Sequence, residues 1–167
     1  MDRKELINAI ADILSSICKE NKRKEIELIC KFFFNIIAVL NPFVSENNNM
    51  ISIKSYLKHM VKNANINSEN FINMLIYIDR LCKKNKIMLN YSNIYKIILS
   101  ALVITLKYNE DHYFTNRYYS SIGGIRNKDL NLIEYHFLTL IDFSLYIKPS
   151  EYSRYYTNLS RLLKLKQ

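Results

Sequence analysis

Chemistry in this chain would have to be built from very few groups. His59, His112 and His136 are the only histidines, and "NEDHY" (Asn109 to Tyr113) gathers two acids and one of them. A hydrolytic zinc site needs H-E-x-x-H or ligands at comparable helical spacing, and the histidines share no such spacing. "NEDHY" falls in a loop between helical segments, where carboxylates are hydrated rather than poised on a metal. No G-x-S-x-G nucleophile elbow occurs. Cys18, Cys30 and Cys82 are far apart with no C-x-x-C, which reads as buried reduced thiols. Gly123 and Gly124 are the only two glycines, side by side. A phosphate loop needs G-x-x-x-x-G-K-[ST], and a dinucleotide fold needs G-x-G-x-x-G after a strand; neither is present. The pair follows a short helical stretch and precedes another, so it reads as a structural joint, with glycine at φ > 0 closing the last turn. The expectation is no catalytic residue, no metal, no cofactor and no small-molecule substrate, hence a helical binding module.

The elements that would present such a module all read as helix. Two glycines and two prolines (Pro42, Pro149) in 167 residues argue against a sandwich or barrel. "INAIADILSSI" repeats apolar residues at a period near 3.6, predicting a helix from Arg3 to about Glu20. A second helix is expected from about Lys24 to Leu40, where "CKFFFNIIAVL" is apolar nearly all round. "NPFVSENNNM" then breaks the chain. Five more helices follow. Ser52 caps the first, to about Lys62, and Asn67 or Ser68 the second, to about Lys84. Asn90 caps the third, Tyr91 to Tyr108, whose centre "IYKIILSALVITL" is apolar on all sides and so belongs mid-domain. A short fourth helix lies between Thr115 and Ser121, and Asn127 caps the fifth, to about Phe143. Pro149 and Ser150 open a last amphipathic helix. The organisation expected is an N-terminal helical arm over residues 1–44, a core unit over 45–148 and a C-terminal helix over 149–167.

No apolar run approaches a membrane span, and the charged amphipathic start does not read as a signal peptide, so an intracellular protein of cytoplasm or nucleus is expected. The formal net charge is +9, with the excess after Lys31. Lys, Asn, Ile and Tyr are all frequent, which suggests AT-biased coding and weakens the charge as a sign of nucleic-acid binding.

Five helices around a wholly apolar central one describe a cyclin box, and the residues go further. The chain carries, in order, "ISI…YL" (Ile51 to Leu57), "IYIDR" (Ile76 to Arg80), "LKYNEDHYFTNRYYSSIGGI" (Leu106 to Ile125) and "LNLIEYHFLTLIDFSLYI" (Leu130 to Ile147). With these pieces residues 51–157 resemble the P-type, or U-type, cyclins. The resemblance implies an all-α fold, a single cyclin box with extra N-terminal helices and a C-terminal helix. It implies a regulatory subunit that binds and activates a cyclin-dependent protein kinase by positioning the kinase αC helix and activation loop. The family's polar contact, a Lys ending the third box helix and a Glu in the fifth, matches Lys107 and Glu134. The apolar rim would be Ile104, Tyr108 and Leu138, with Phe143 and Leu145 at family contact positions. Family members carry an Arg in the first box helix opposite the Asp of the "DR" pair; His59 stands there, and a His59–Asp79 pairing is expected. The docking motif of mitotic cyclins is absent. The rival expectations are a cyclin-box scaffold without kinase activation and a nucleic-acid-binding adaptor.

Overall fold

A computed structural model describes residues 2–29, 42–44 and 51–165, with side chains outside 24–29. Its described elements are seven helices: α1 Arg3–Ile29, α2 Ile53–Asn63, α3 Ser68–Asn85, α4 Ile94–Asn109, α5 Asn116–Gly123, α6 Asn127–Leu140 and α7 Pro149–Lys164. The all-α expectation holds among the described residues.

The reason α4 sits centrally is visible in its sequence. Twelve of its residues, from Ile94 to Leu106, are buried, so no face is left for water and α3, α5 and α6 all pack on it. Its two buried hydroxyls are satisfied locally: Ser100 Oγ donates to the Lys96 carbonyl at 2.9 Å and Thr105 Oγ1 to the Ala101 carbonyl at 2.7 Å. α1 shares this core through Leu6, Ile10, Leu14 and Cys18. It is fastened towards both ends, by Arg3 donating to the Ile66 carbonyl and Asn21 donating to the Leu89 carbonyl, each at 2.9 Å. The helix break expected between Glu20 and Lys24 is not there: α1 continues to Ile29, since "NKRK" contains neither Gly nor Pro to stop it. The rest of the expected second helix, and Cys30, lie outside the described residues. Of the "NPFVSENNNM" break, residues 42–44 are described; Phe43 is buried edge-on to Phe137 at 6.2 Å, and Lys96 Nζ donates to the Pro42 and Val44 carbonyls.

Most caps follow the sequence. Ser52 and Asn67 each accept from the backbone N–H of the third helical residue, Pro149 occupies the first turn of α7, and Thr115, not singled out as a cap from the sequence, caps α5 in the same way. Two differ. Asn90 closes a preceding turn, accepting from the Ser92 and Asn93 amides, so α4 begins at Ile94. Asn127 lies inside α6, whose cap is Arg126; an Arg126–Asp129 ion pair at 2.7 Å spans this first turn. α6 also stops at Leu140, before Phe143.

The two glycines do different work. Gly124 is the left-handed residue, φ +68°, that ends α5, and the Ile125 amide reaches back to the Ser120 carbonyl at 3.0 Å. Gly123 is helical. A Cβ there would land on the buried Leu99 side chain of α4, within 3.0 Å of Cδ1 and nearer still to Cδ2. Its role is close helix approach.

Candidate functional site

α4, α5 and α6 converge on one polar cluster. Lys107, in the last turn of α4, donates through Nζ to Glu134 Oε1 at 2.6 Å. The side chains keep 30% and 13% of their surface exposed, so the pair sits at the edge of the core rather than in free solvent. The other carboxylate oxygen, Oε2, accepts from Asn116 Nδ2 at 2.6 Å, and the same amide donates to Asn131 Oδ1 at 2.8 Å. Asn116 Oδ1 is buried with no partner. Glu134 is thus gripped from two helices. The Lys107 ammonium has three donors and makes one hydrogen bond among the described residues.

The expected apolar rim divides. Tyr108 is 51% exposed beside the pair, and Leu138 is half-buried one turn beyond Glu134. Ile104 is a correction to the rim: at 2% exposure it is core, because its position faces into the bundle from the all-round-buried α4. Phe143 is 60% exposed, and Leu145 is partly buried.

The loop bearing Phe143 and Leu145 is held in an unusual path. Asp142 and Phe143 both have positive φ, 53° and 51°. Each non-glycine left-handed residue costs about 1–2 kcal/mol, so the surroundings must impose them. They do so from α3. Tyr77 Oη donates to the Leu145 carbonyl at 2.8 Å. Arg80 donates to the Ser144 carbonyl at 2.6 Å, to the Tyr146 carbonyl at 3.0 Å and to Glu151 at 2.7 Å. Asn85 donates to the Leu140 carbonyl at 3.0 Å, and Lys84 pairs with Asp142.

The expected His59–Asp79 pairing is not made. His59 is exposed on α2 and meets Asn63, 3.3 Å from its Nδ1. Asp79 instead accepts from Lys83 at 2.7 Å and from the Tyr155 hydroxyl at 2.5 Å. The cause is topological: α2 packs on α1 and α5, whereas the Asp79 face of α3 is covered by α7. Burial first, then the bond to Asp79, raise the Tyr155 pKa above its ordinary value.

Among the described residues no group of His, Cys, Asp and Glu could hold a metal, and no helix is long and apolar enough to cross a membrane. Sequence reasoning missed Asn116 and the Arg80–Tyr77 clamp. Arg80 lies in the quoted "IYIDR" and Asn116 in "HYFTNRYY", but nothing in either stretch announces which distant atom it meets.

Comparison with known proteins returns the Cyclin family over residues 4–145. The chain is 33% identical over 121 residues to Cyclin-U4-3 of Arabidopsis thaliana, covering 70% of this chain and 55% of that protein. It is 30% identical over 118 residues to Cyclin-U4-1 of the same plant, covering 70% of this chain and 58% of that protein. To PHO85 cyclin-7 of Saccharomyces cerevisiae it is 27% identical over 132 residues, 72% of this chain and 46% of that protein. The chain thus spans about half the length of the curated relatives it matches. The U-type resemblance in the sequence is borne out.

Proposed function

The chain belongs to the cyclin family, and we propose that it is the regulatory subunit of a cyclin-dependent protein kinase, which it binds and activates. The observation that carries this reading is the Lys107–Glu134 pair at 2.6 Å, largely buried, with the exposed Tyr108 next to Lys107 in the chain and Leu138 one turn beyond Glu134. A charge pair braced by Asn116 presents fixed donors and acceptors, and the aromatic and aliphatic rim excludes water around them. That arrangement suits the exposed backbone groups at a helix end of a partner. The yeast relative bears the name of a PHO85 cyclin, which supports a kinase of that class as the partner.

Activation is a population shift. A lone kinase of this class holds its αC helix turned out, and a cyclin that binds the helix-in form pulls the equilibrium towards it. Reversing a 1:99 ratio to 99:1 requires about 5.5 kcal/mol of differential affinity. An interface of roughly 2,000 Å², as signalling assemblies bury, can supply it. The cyclin contributes no catalytic group.

Affinity and phosphotransfer, measured with the kinase co-purified from the protein's own cells, test the reading. Truncating one partner of a desolvated polar contact costs about 2–5 kcal/mol. Lys107→Ala and Glu134→Ala should each weaken binding at least tenfold, and non-additively because each side chain places the other. Circular dichroism should show the isolated variants folded. Wild-type binding by the double variant would remove these residues from the interface. Binding without activation would make the chain a scaffold, and recovery of no kinase would overturn the reading.

A further inference from the structure

A cavity of about 460 Å³ opens where the start of α3, the end of α4 and the 145–149 loop meet the first turn of α7, with Tyr108 in its lining. Its lining includes Tyr108, Tyr146 and Tyr152, with Leu145 among them. Tyr108 and Tyr146 are 51% and 66% exposed, and Tyr152 stacks on Tyr156 with centroids 6.5 Å apart. Two acceptors line the same space, Glu69 and Asn73. Glu69 is exposed and forms no ion pair among the described residues. Asn73 Oδ1 is buried with no hydrogen bond.

In a chain of net charge +9, this is a pocket of the opposite character. Lys107 pairs with Glu134 and Arg80 with Glu151, and no Lys or Arg is among the residues that line the cavity. A carboxylate in the first turn of α3 is favoured by the helix dipole, which accounts for an acid at position 69. It does not account for three tyrosine rings around it. Ring faces are the negative end of an aromatic quadrupole, and a guanidinium or ammonium within about 6 Å of a centroid is attracted to them. A cation there would also find the Glu69 carboxylate, which forms no ion pair among the described residues. The Tyr152 hydroxyl has its pKa raised, by burial first and by the Glu69 carboxylate second, so that charge is felt inside the pocket.

We propose that this cavity is a receptor for a cationic side chain, an Arg or Lys presented by a protein partner, with Glu69 as counter-charge and Tyr108, Tyr146 and Tyr152 as the aromatic walls. The assignment stands on the pocket alone, so it survives or falls apart from the kinase reading. It also gives Tyr108 a place in two adjoining surfaces, the rim of the Lys107–Glu134 pair and the wall of this cavity.

The test uses the whole chain and N-acetyl-arginine amide, followed by two-dimensional NMR at 0.15 M salt. Saturable shifts in the millimolar range are expected at Glu69, Asn73, Tyr146 and Tyr152. The citrulline analogue has the same shape without the charge and should bind at least tenfold more weakly. Glu69→Gln should also cost about tenfold, the size of one lost charge-assisted contact. Tyr146→Ala, at an exposed position that leaves the core untouched, should weaken binding severalfold. Equal binding of arginine and citrulline derivatives would overturn the proposal, as would unchanged affinity in Glu69→Gln. A pocket that took spermidine and refused the arginine derivative would overturn the assignment to a protein side chain.

Discussion

Gly123→Ala should destabilise the protein, and the same substitution should stabilise it once Leu99 is Ala. The new methyl would fall on Leu99 Cδ2 and within 3.0 Å of Cδ1, and Leu99 is 1% exposed at the centre of α4, with little room to move. Overpacking of that kind costs about 1–3 kcal/mol. Removing a helical glycine returns up to about 1 kcal/mol, and less at a last helical residue. The net is a loss of about 1–2 kcal/mol, a melting shift of about 2–8 °C at this chain length. Leu99→Ala alone should cost about 2–5 kcal/mol through its cavity. In that background the methyl enters vacated space, the propensity gain is left, and the sign reverses. The coupling should lie at about 2 kcal/mol, inside the range for contacting residues. Gly124→Ala is the control: no atom lies within 4 Å of its Cβ, so its cost is the left-handed φ, about 1–2 kcal/mol, and it should add independently to Leu99→Ala. Urea titration followed at 222 nm gives all these terms. An equal effect of Gly123→Ala in both backgrounds would refute the close-approach argument.

Burial, and secondarily the charges of Asp79 and Cys18, push the Cys82 thiol up to about 12. At pH 8.5 iodoacetamide should therefore label Cys82 far more slowly in the native chain than in urea, and equal rates would contradict the burial. A folded pKa above the unfolded value of about 8.5 means its contribution to stability is whole below that pH and fades as pH rises towards 12. Arg80→Ala leaves the Ser144 and Tyr146 carbonyls without their donor; amide exchange across residues 141–148 should accelerate at least tenfold, and unchanged exchange would mean the clamp is not what holds the loop.

How much of this was legible depends on the range of the physics involved. The helices were legible because apolar period and caps act over a few residues: Ser52, Asn67 and Pro149 each report their own helix start. Asn90 misled because an Asn before an apolar run closes a turn as readily as it caps a helix, and Asn127 because α6 already includes it, with Arg126 at the cap position. The continuity of α1 is hidden by the polar stretch "NKRK", which resembles a stop although only Gly or Pro would enforce one. The Gly-Gly pair was read as one joint because the φ > 0 requirement is local, whereas the Gly123 contact depends on a leucine in another helix.

The candidate site shows the same limit more sharply. Family resemblance brought Lys107 and Glu134 forward, and the structure places them 2.6 Å apart across 27 residues of sequence. It misplaced His59, because a substitution opposite Asp79 carries no partner with it: α7 filled the vacancy with Tyr155, from outside the motif. Asn116 could not be found from sequence at all, since its value lies in reaching Glu134 from a third helix while Lys107 holds the other oxygen. That grip has a consequence for order. With both carboxylate oxygens held from two helices, Glu134 can stay fixed before any partner arrives, and the ordering cost of one contact is met in folding rather than in binding. The loop beside it follows the same logic. Asp142 and Phe143 are held at positive φ by a frame in which α3 side chains bind the carbonyls of residues 144, 145 and 146. The strain of those two residues is offset inside the chain, and the Phe143 ring is left exposed.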